Sequence, residues 1–172
     1  MMRYMLLLAA LTVPAVRAGA QQPGTTSRHS ARPQARATTP HHIFVLPERI
    51  EWKPAPAAIP PGADAAVIDG DPTRPGLFTM RLRFPDGYRI KPHYHAADEH
   101  ATVISGTLVM GLGGTWDESR GTPLPAGAFS VMAAGVRHFA WARGETVIQV
   151  HAMGPWKLTY VNPADDPRNA AK

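Results

Sequence analysis

The sequence predicts an all-β fold, either a barrel or a sandwich. Short runs of apolar and β-branched residues recur after the first forty residues, and turns rich in glycine and proline separate them; the chain has 15 glycines and 18 prolines. No stretch shows the 3.6-residue apolar period of an amphipathic helix. Many short strands with frequent turns are typical of barrels and sandwiches.

The first twenty residues have the pattern of an export signal. Arg3 precedes a mostly apolar run at 5–16, which is too short to span a bilayer, and residues 18–20 read Ala-Gly-Ala, a cleavage signature. We therefore expect residues 1–20 to be removed after Ala20. Removal would leave a periplasmic or secreted protein without an integral membrane anchor.

Residues 21–40 predict a disordered tether. They hold glutamine, proline, threonine, serine and arginine, and no aliphatic side chain larger than alanine, so they cannot bury enough apolar surface to offset the entropy of ordering. The arginines of residues 1–40 account for the whole formal charge of +5, because residues 41–172 carry thirteen basic and thirteen acidic groups. The folded part therefore shows no charge bias toward nucleic acid. The chain has no cysteine, which excludes disulfides and thiolate chemistry.

The predicted folded domain spans residues 41–163, with a polar tail at 164–172. Residues 43–46 are apolar and end at a proline, which predicts an edge strand. Residues 53–62 are proline-rich and predict a surface loop. Residues 78–84 alternate apolar and polar side chains with period two. This pattern predicts a strand with its apolar side chains inward: Phe78, Met80, Leu82 and Phe84.

The second half of the domain predicts several more strands. Residues 102–112 are strand-like, and Ser105-Gly106-Thr107 within them predicts a hairpin turn. Residues 129–132 predict a buried strand, and residues 143–146 predict another turn. Further strands are predicted at 138–142, 146–153 and 156–161.

Residues with metal-binding chemistry cluster just before residue 102. His93 and His95 are two apart, and alternate residues of a strand share a face, so both imidazoles point the same way. Glu99 can add a third ligand. Imidazole with carboxylate favours Mn, Fe, Ni, Cu or Zn over Ca or Mg. His138 follows a second glycine-bounded strand and would bring a distant fourth ligand across the barrel.

These residues also carry a family resemblance. Gly87-x5-His93-x-His95-x3-Glu99-x6-Gly106 matches the first motif of the cupin superfamily at every fixed position, and Gly127-x5-Ala133-x-Gly135-x2-His138 resembles the second. The second motif has Ala133 where cupins usually have proline and Ala142 where they usually have asparagine; neither change removes a ligand. The chain thus resembles small bacterial single-domain cupins. The resemblance implies a jelly-roll barrel (an antiparallel double-stranded β-helix) with one metal held by His93, His95, Glu99 and His138.

The resemblance also implies a range of functions. Similar proteins include dioxygenases, oxalate-degrading decarboxylases and isomerases that act on small molecules, usually with Fe or Mn, while Zn, Ni and Cu also suit these ligands. The alternative is a cupin without turnover that binds or senses a metal or a small acid. Pairing of two chains through barrel edges would be in keeping with the resemblance.

Two histidines leave alternatives open in the sequence. His100 would replace Glu99 as ligand if the spacing were one residue longer, but the distance to Gly106 favours Glu99. His151 shares a strand face with Gln149. If that face points inward, His151 is the candidate acid/base or substrate contact; if it points outward, His151 is a solvent-exposed side chain.

Overall fold

The computed structural model describes residues 42–169. Contacts divide the chain into two units, Met1–His42 and Ile43–Lys172, and all that follows concerns the described part of the second. The predicted signal at 1–20 and the predicted tether at 21–40 lie outside the described residues. Within 42–169, no helix has the length and apolar character needed to cross a membrane.

Nine strands form the domain, joined by short turns. They are β1 Lys53–Pro54, β2 Asp64–Asp69, β3 Gly76–Phe84, β4 Arg89–His95, β5 Glu99–Leu112, β6 Gly121–Pro125, β7 Phe129–Met132, β8 His138–Gly154 and β9 Leu158–Tyr160. The helical content of the described residues is four single 3-10 turns, at Pro47–Arg49, Glu118–Arg120, Pro163–Asp165 and Pro167–Asn169.

Strand β8 holds the sheet together. Every pairing is antiparallel, and the strands follow the order β1-β2-β3-β8-β4-β9, while β5 pairs with β6, β7 and β8. The first part of β8 lies against β4, the last part lies against β3, and β5 runs beside most of its length. One curled antiparallel sheet results, so the prediction of an all-β barrel is confirmed.

The two predicted turns inside β5 and β8 are bends rather than hairpins. Gly106 in β5 has a φ of +74° and Gly144 in β8 has a φ of +68°, and the pairing register of β5 shifts on both sides of Ser105. A Cβ atom on Gly106 would lie 2.3 Å from the carbonyl oxygen of Glu145. Glycine therefore lets the two strands bend together as a β-bulge, and the hairpin prediction was wrong.

The barrel interior is apolar, as the pattern of β3 predicts. Phe78, Met80, Leu82 and Phe84 are all at most 3% exposed, which confirms that prediction. They pack with buried side chains from five other strands, including Ala65, Ile90, Ala101, Val103, Leu108, Ala140, Ile148, Val150 and Leu158. At one end of this apolar interior lie the buried polar side chains of the candidate site.

Two local predictions were wrong at the sheet edges. Residues 43–46 form no strand, because the edge of β2 is taken by Lys53–Pro54, which the sequence placed in a loop. Residues 129–132 do form strand β7, but Phe129 and Val131 are 58% and 45% exposed. Strand β7 covers the barrel with one face only, so its apolar run does not indicate burial on both faces.

Candidate metal centre

Three histidines converge at one end of the barrel. His93 in β4 pairs directly with His138 at the start of β8, and His95 lies two residues further along β4. All three side chains are buried. The ring centroids of His93 and His138 are 4.2 Å apart. The ring centroid of His95 lies 5.0 Å from that of His93 and 5.3 Å from that of His138. One ligand nitrogen from each residue lies within 4.8 Å of the other two.

Backbone contacts fix the loop that leads into His138. The N–H of Gly135 donates to the carbonyl oxygen of His95 over 2.9 Å, and the N–H of Ala134 donates to Oδ1 of Asp98 over 2.8 Å. The turn that lacks the usual proline at Ala133 is closed by a 3.0 Å hydrogen bond from the N–H of Val136. The carbonyl of His95 and the side chain of Asp98 thus hold in place the loop that precedes His138.

Glu99 places a carboxylate beside this cluster. It is the first residue of β5 and is 7% exposed, and its Oε2 atom lies 3.4 Å from Nε2 of both His95 and His138. His100 faces the other side of the sheet, where it is exposed and lies near the ring of Phe129. The structure therefore brings Glu99, and not His100, to the three histidines.

Backbone carbonyls fix the tautomer of every imidazole in the cluster. The Nδ1 atoms of His93, His95 and His138 lie 2.7, 3.0 and 3.0 Å from the carbonyl oxygens of Lys91, Lys157 and Val136. Because a carbonyl oxygen only accepts, each Nδ1 must carry the proton and donate. Each Nε2 atom is therefore left with a lone pair, which is the arrangement that metal-bound histidines use.

Burial and neighbouring groups set the charges of the cluster. Burial, together with the adjacent His138 and His95, lowers the pKa of His93 to about 3. His93 is therefore a neutral imidazole at pH 7. Burial alone would raise the pKa of Glu99, but the contacts of its carboxylate with His138 and His95, when these carry a proton on Nε2, outweigh that effect, and the net pKa lies below the usual range. A neutral imidazole and an ionised carboxylate are the forms that bind metal.

The side chains present fit a bound transition metal. Nε2 of His95 is buried and has no hydrogen-bond partner, an arrangement that costs free energy unless another group binds there. The neighbouring carboxylate is an ionised group in an apolar interior, which a cation would offset. Three imidazole nitrogens with one carboxylate oxygen suit Mn, Fe, Ni, Cu or Zn. The cluster could therefore bind one such ion.

The cavity at the cluster is small and apolar. Its volume is about 30 Å³. The indole ring of Trp156 stacks on His95 with a centroid distance of 4.6 Å and an interplanar angle of 13°. Apart from the three histidines, Glu99 and Trp156, the cavity is lined by Ile59, Leu82, Phe84, Ile90, Ala101, Leu108, Met110, Ala140, Ile148 and Leu158.

His151 lies on the outer face of the sheet. Its neighbours Val150 and Ala152 point into the core, so alternation turns His151 outward, where it pairs across strands with His100. Thr79 and Gln149 contact its ring nitrogens at 3.0 and 3.1 Å. Because the proposed acid/base role depended on an inward face, the geometry gives that role no support.

The sequence reasoning missed two residues of the site. Asp98 anchors the loop before His138, and Trp156 covers His95. Asp98 could have been noticed as the acid next to the predicted ligand Glu99. For Trp156 the sequence holds no such signal, because only the fold brings the segment before β9 against β4.

Solved structures with the same fold share little sequence with this chain. The polyketide cyclase RemF from Streptomyces resistomycificus has a TM-score of 0.62 and 14% identity over 76% of this chain and 93% of its own. A Methylibium petroleiphilum protein described provisionally as an acetylacetone dioxygenase has a TM-score of 0.58 and 23% identity over 76% and 88%. An RmlC-like cupin from Shewanella frigidimarina has a TM-score of 0.51 and 15% identity over 66% and 91%. No curated protein matches the chain.

The curled antiparallel barrel is the fold of the cupin among these structures, as the two sequence motifs predict. Residues 29–168 match the family described as "Domain of unknown function (DUF4437)", which covers most of the chain. The protein belongs to that family.

Proposed function

We propose that the protein is a metal-dependent enzyme acting on a small molecule, with one divalent transition metal bound by His93, His95, Glu99 and His138. One observation carries the proposal: three Nε2 lone pairs and a buried carboxylate face the same point inside an apolar barrel. Backbone carbonyls hold the histidines in the ligand tautomer, so little rearrangement would be needed on binding. We favour Fe or Mn, with Zn, Ni and Cu also compatible.

Among dioxygenase, decarboxylase and isomerase reactions, we favour the dioxygenase type. Decarboxylases and isomerases generally use a side chain that takes or gives a proton. Among residues 42–169, the cavity lining offers no acid or base beyond the four proposed ligands, since His151 lies on the outer face. The bound metal would supply the activation of substrate and dioxygen, and the protein would orient the substrate and exclude water.

The cavity wall favours a small substrate that binds through its own oxygen atoms. No cationic side chain of the described residues lines this cavity, so a free carboxylate of the substrate would have no partner within it. A compact molecule with two neighbouring oxygens would suit such a wall. One structural neighbour is described as an acetylacetone dioxygenase, which is a reason to include β-diketones among the substrates tested.

Oxygen uptake tests this proposal. The protein would be prepared without metal, loaded separately with Fe(II), Mn(II), Ni(II), Cu(II) and Zn(II), and supplied with small diols, phenols, thiols and β-diketones. We expect the protein to consume oxygen with Fe or Mn and one class of substrate. This oxygen consumption should be lost in His95→Ala and kept in His100→Ala. Equal uptake by both variants would contradict the assignment of the site.

A cupin that binds without turnover is the second candidate. The observation that favours it is the same lack of an acid or base beside the four proposed ligands. Two results together would support this candidate over the enzyme. Calorimetry would show that small molecules with oxygen donor atoms bind the metal-loaded protein, and no combination of metal and substrate would consume oxygen.

We also propose that the protein works outside the cytoplasm. The support is the sequence pattern of residues 1–20, with its apolar run and Ala-Gly-Ala ending. Intact mass of the protein from its native host would show a chain that begins at residue 21. A chain that still begins at Met1 or Met2 would contradict export by cleavage.

Pairing of two chains is a further part of the proposal. The outer face of the sheet exposes Leu77 and Met153 side by side on β3 and β8, at 64% and 54%, with Phe129 and Val131 on β7. Exposed apolar groups of this kind are typical of contact surfaces. Light scattering after gel filtration should give twice the mass of one chain; the mass of a single chain would contradict pairing.

A further inference from the structure

The indole N–H of Trp156 is a buried donor without a partner. Nε1 of tryptophan can only donate, and in this structure the atom is buried and makes no hydrogen bond. Leaving such a donor unpaired costs free energy. Its backbone is well held, because the N–H of Trp156 donates to the carbonyl oxygen of Pro72 over 2.8 Å. A donor kept in this state indicates an acceptor that binds later.

The position of Trp156 ties this donor to the metal centre. Its ring lies parallel to the imidazole of His95 and meets Phe78 edge-on at 6.1 Å between centroids, so the indole has packing partners in two directions. Among the residues that line the cavity, it carries the only polar side-chain group other than those of the three histidines and Glu99. Among the described residues, Trp156 is therefore the side chain other than those four that could form a hydrogen bond with a ligand inside this cavity.

A second cavity adjoins the first at the same residue. It has a volume of about 150 Å³, and it shares Ile59, Trp156 and Leu158 with the cavity at the histidines. These three side chains therefore form the wall between the two spaces. A ligand that extends from the first cavity into the second would pass next to the indole, and in the second cavity it would also meet Thr73, Lys157 and Arg168.

We propose that Trp156 determines which ligands the metal centre accepts, by donating its indole N–H to an oxygen atom of the ligand bound there. The inference rests on the proposed metal site and adds to it a ligand class: small molecules with an acceptor oxygen next to the atoms that bind the metal. An apolar ligand of equal size would leave the donor buried and unpaired, and it would bind more weakly.

Indole resonances of the zinc-loaded protein test this inference directly. The ¹⁵N-labelled full chain has four tryptophans, so four indole N–H signals are expected, and the Trp156 signal is the one lost in Trp156→Phe. Acetohydroxamate, a small ligand with two oxygens, serves as the probe. We expect the Trp156 signal alone to shift downfield and to exchange more slowly with solvent as the probe saturates.

The variants separate a hydrogen bond from a packing role. Trp156→Phe keeps a ring against His95, so it should bind zinc like the parent protein and bind acetohydroxamate at least about tenfold more weakly. Trp116→Phe makes the same change in the separate cluster with Phe139 and Trp141, and it should leave both affinities unchanged.

The experiment distinguishes failure of the proposed metal site from failure of the proposed role of Trp156. If zinc does not bind, the proposed metal site fails, and the inference fails with it. If zinc binds but acetohydroxamate does not, or if it binds without moving the Trp156 signal, the inference alone is overturned. Affinity for the probe within twofold of the parent protein in Trp156→Phe would also overturn it.

Discussion

Nε2 of His138 lies 3.4 Å from Oε2 of Glu99, although the two side chains belong to different strands, β8 and β5. The same carboxylate oxygen lies 3.4 Å from Nε2 of His95. A buried carboxylate thus lies beside the Nε2 atoms of two buried imidazoles, with a third imidazole next to them. Such an arrangement is stable only if a proton or a cation balances the charge, and the proposed role of the site follows from that need.

Loss of metal on removal of one imidazole is the first prediction. His95→Ala should bind less than a tenth of the metal that the parent protein binds, because it removes a ligand whose Nε2 atom has no other partner. His100→Ala is the matched control, because this histidine is close in sequence but faces the opposite side of the sheet. Elemental analysis after dialysis measures both. Full occupancy in His95→Ala would count against the site.

Glu99→Gln should weaken metal binding by about tenfold or more, because the variant keeps the side-chain volume but removes the one negative charge at the ion. Asp98→Asn removes the same charge one residue away, and its amide oxygen can still accept from Ala134. Competition with a chromogenic chelator gives both affinities. Similar weakening in the two variants would mean that Glu99 acts only through long-range charge.

The metal-free protein should lose stability in acid. The folded state holds the pKa of His93 near 3, against about 6.5 for a histidine in the unfolded chain, so between these pH values the unfolded chain binds a proton that the folded chain does not. Stability should therefore fall as pH drops below about 6.5, by up to ~5 kcal/mol near pH 3. The lowered pKa of Glu99 acts in the same direction below pH 4.5.

Urea unfolding of the metal-free protein at several pH values between 4.5 and 7.5 measures this dependence. His93→Gln offers a control, because glutamine has no proton to gain and its amide can donate to the carbonyl of Lys91. Its stability should change less with pH than that of the parent protein. Identical slopes for the two would show that His93 is not the group responsible.

Two motif glycines should differ in their tolerance of alanine. Gly87 has a φ of +70° and open space around a Cβ, so Gly87→Ala should cost about 1–2 kcal/mol of unfolding free energy from backbone strain. Gly106 has a similar φ of +74°, but a Cβ there would meet the Glu145 carbonyl oxygen at 2.3 Å. Gly106→Ala should cost at least ~2 kcal/mol more. Urea midpoints compare them, and equal losses would refute the close approach of β5 and β8.

Spacing along the chain was sufficient to predict the histidine cluster but not its surroundings. The two-residue step from His93 to His95 fixes their shared face, and the glycine-bounded segment before His138 marks a return to the barrel. The bends at Gly106 and Gly144 could not be distinguished from hairpin turns, because glycine with positive φ serves both. The contact of Trp156 with His95 and the outward face of His151 depend on how strands stack, which local sequence does not encode.

Anomalous diffraction from crystals of the protein loaded with a single metal tests the central claim most directly. We predict one peak per chain, within about 2.0–2.3 Å of Nε2 of His93, His95 and His138 and of a carboxylate oxygen of Glu99. If each chain holds one ion but the anomalous peak lies anywhere else, the proposed metal site is wrong.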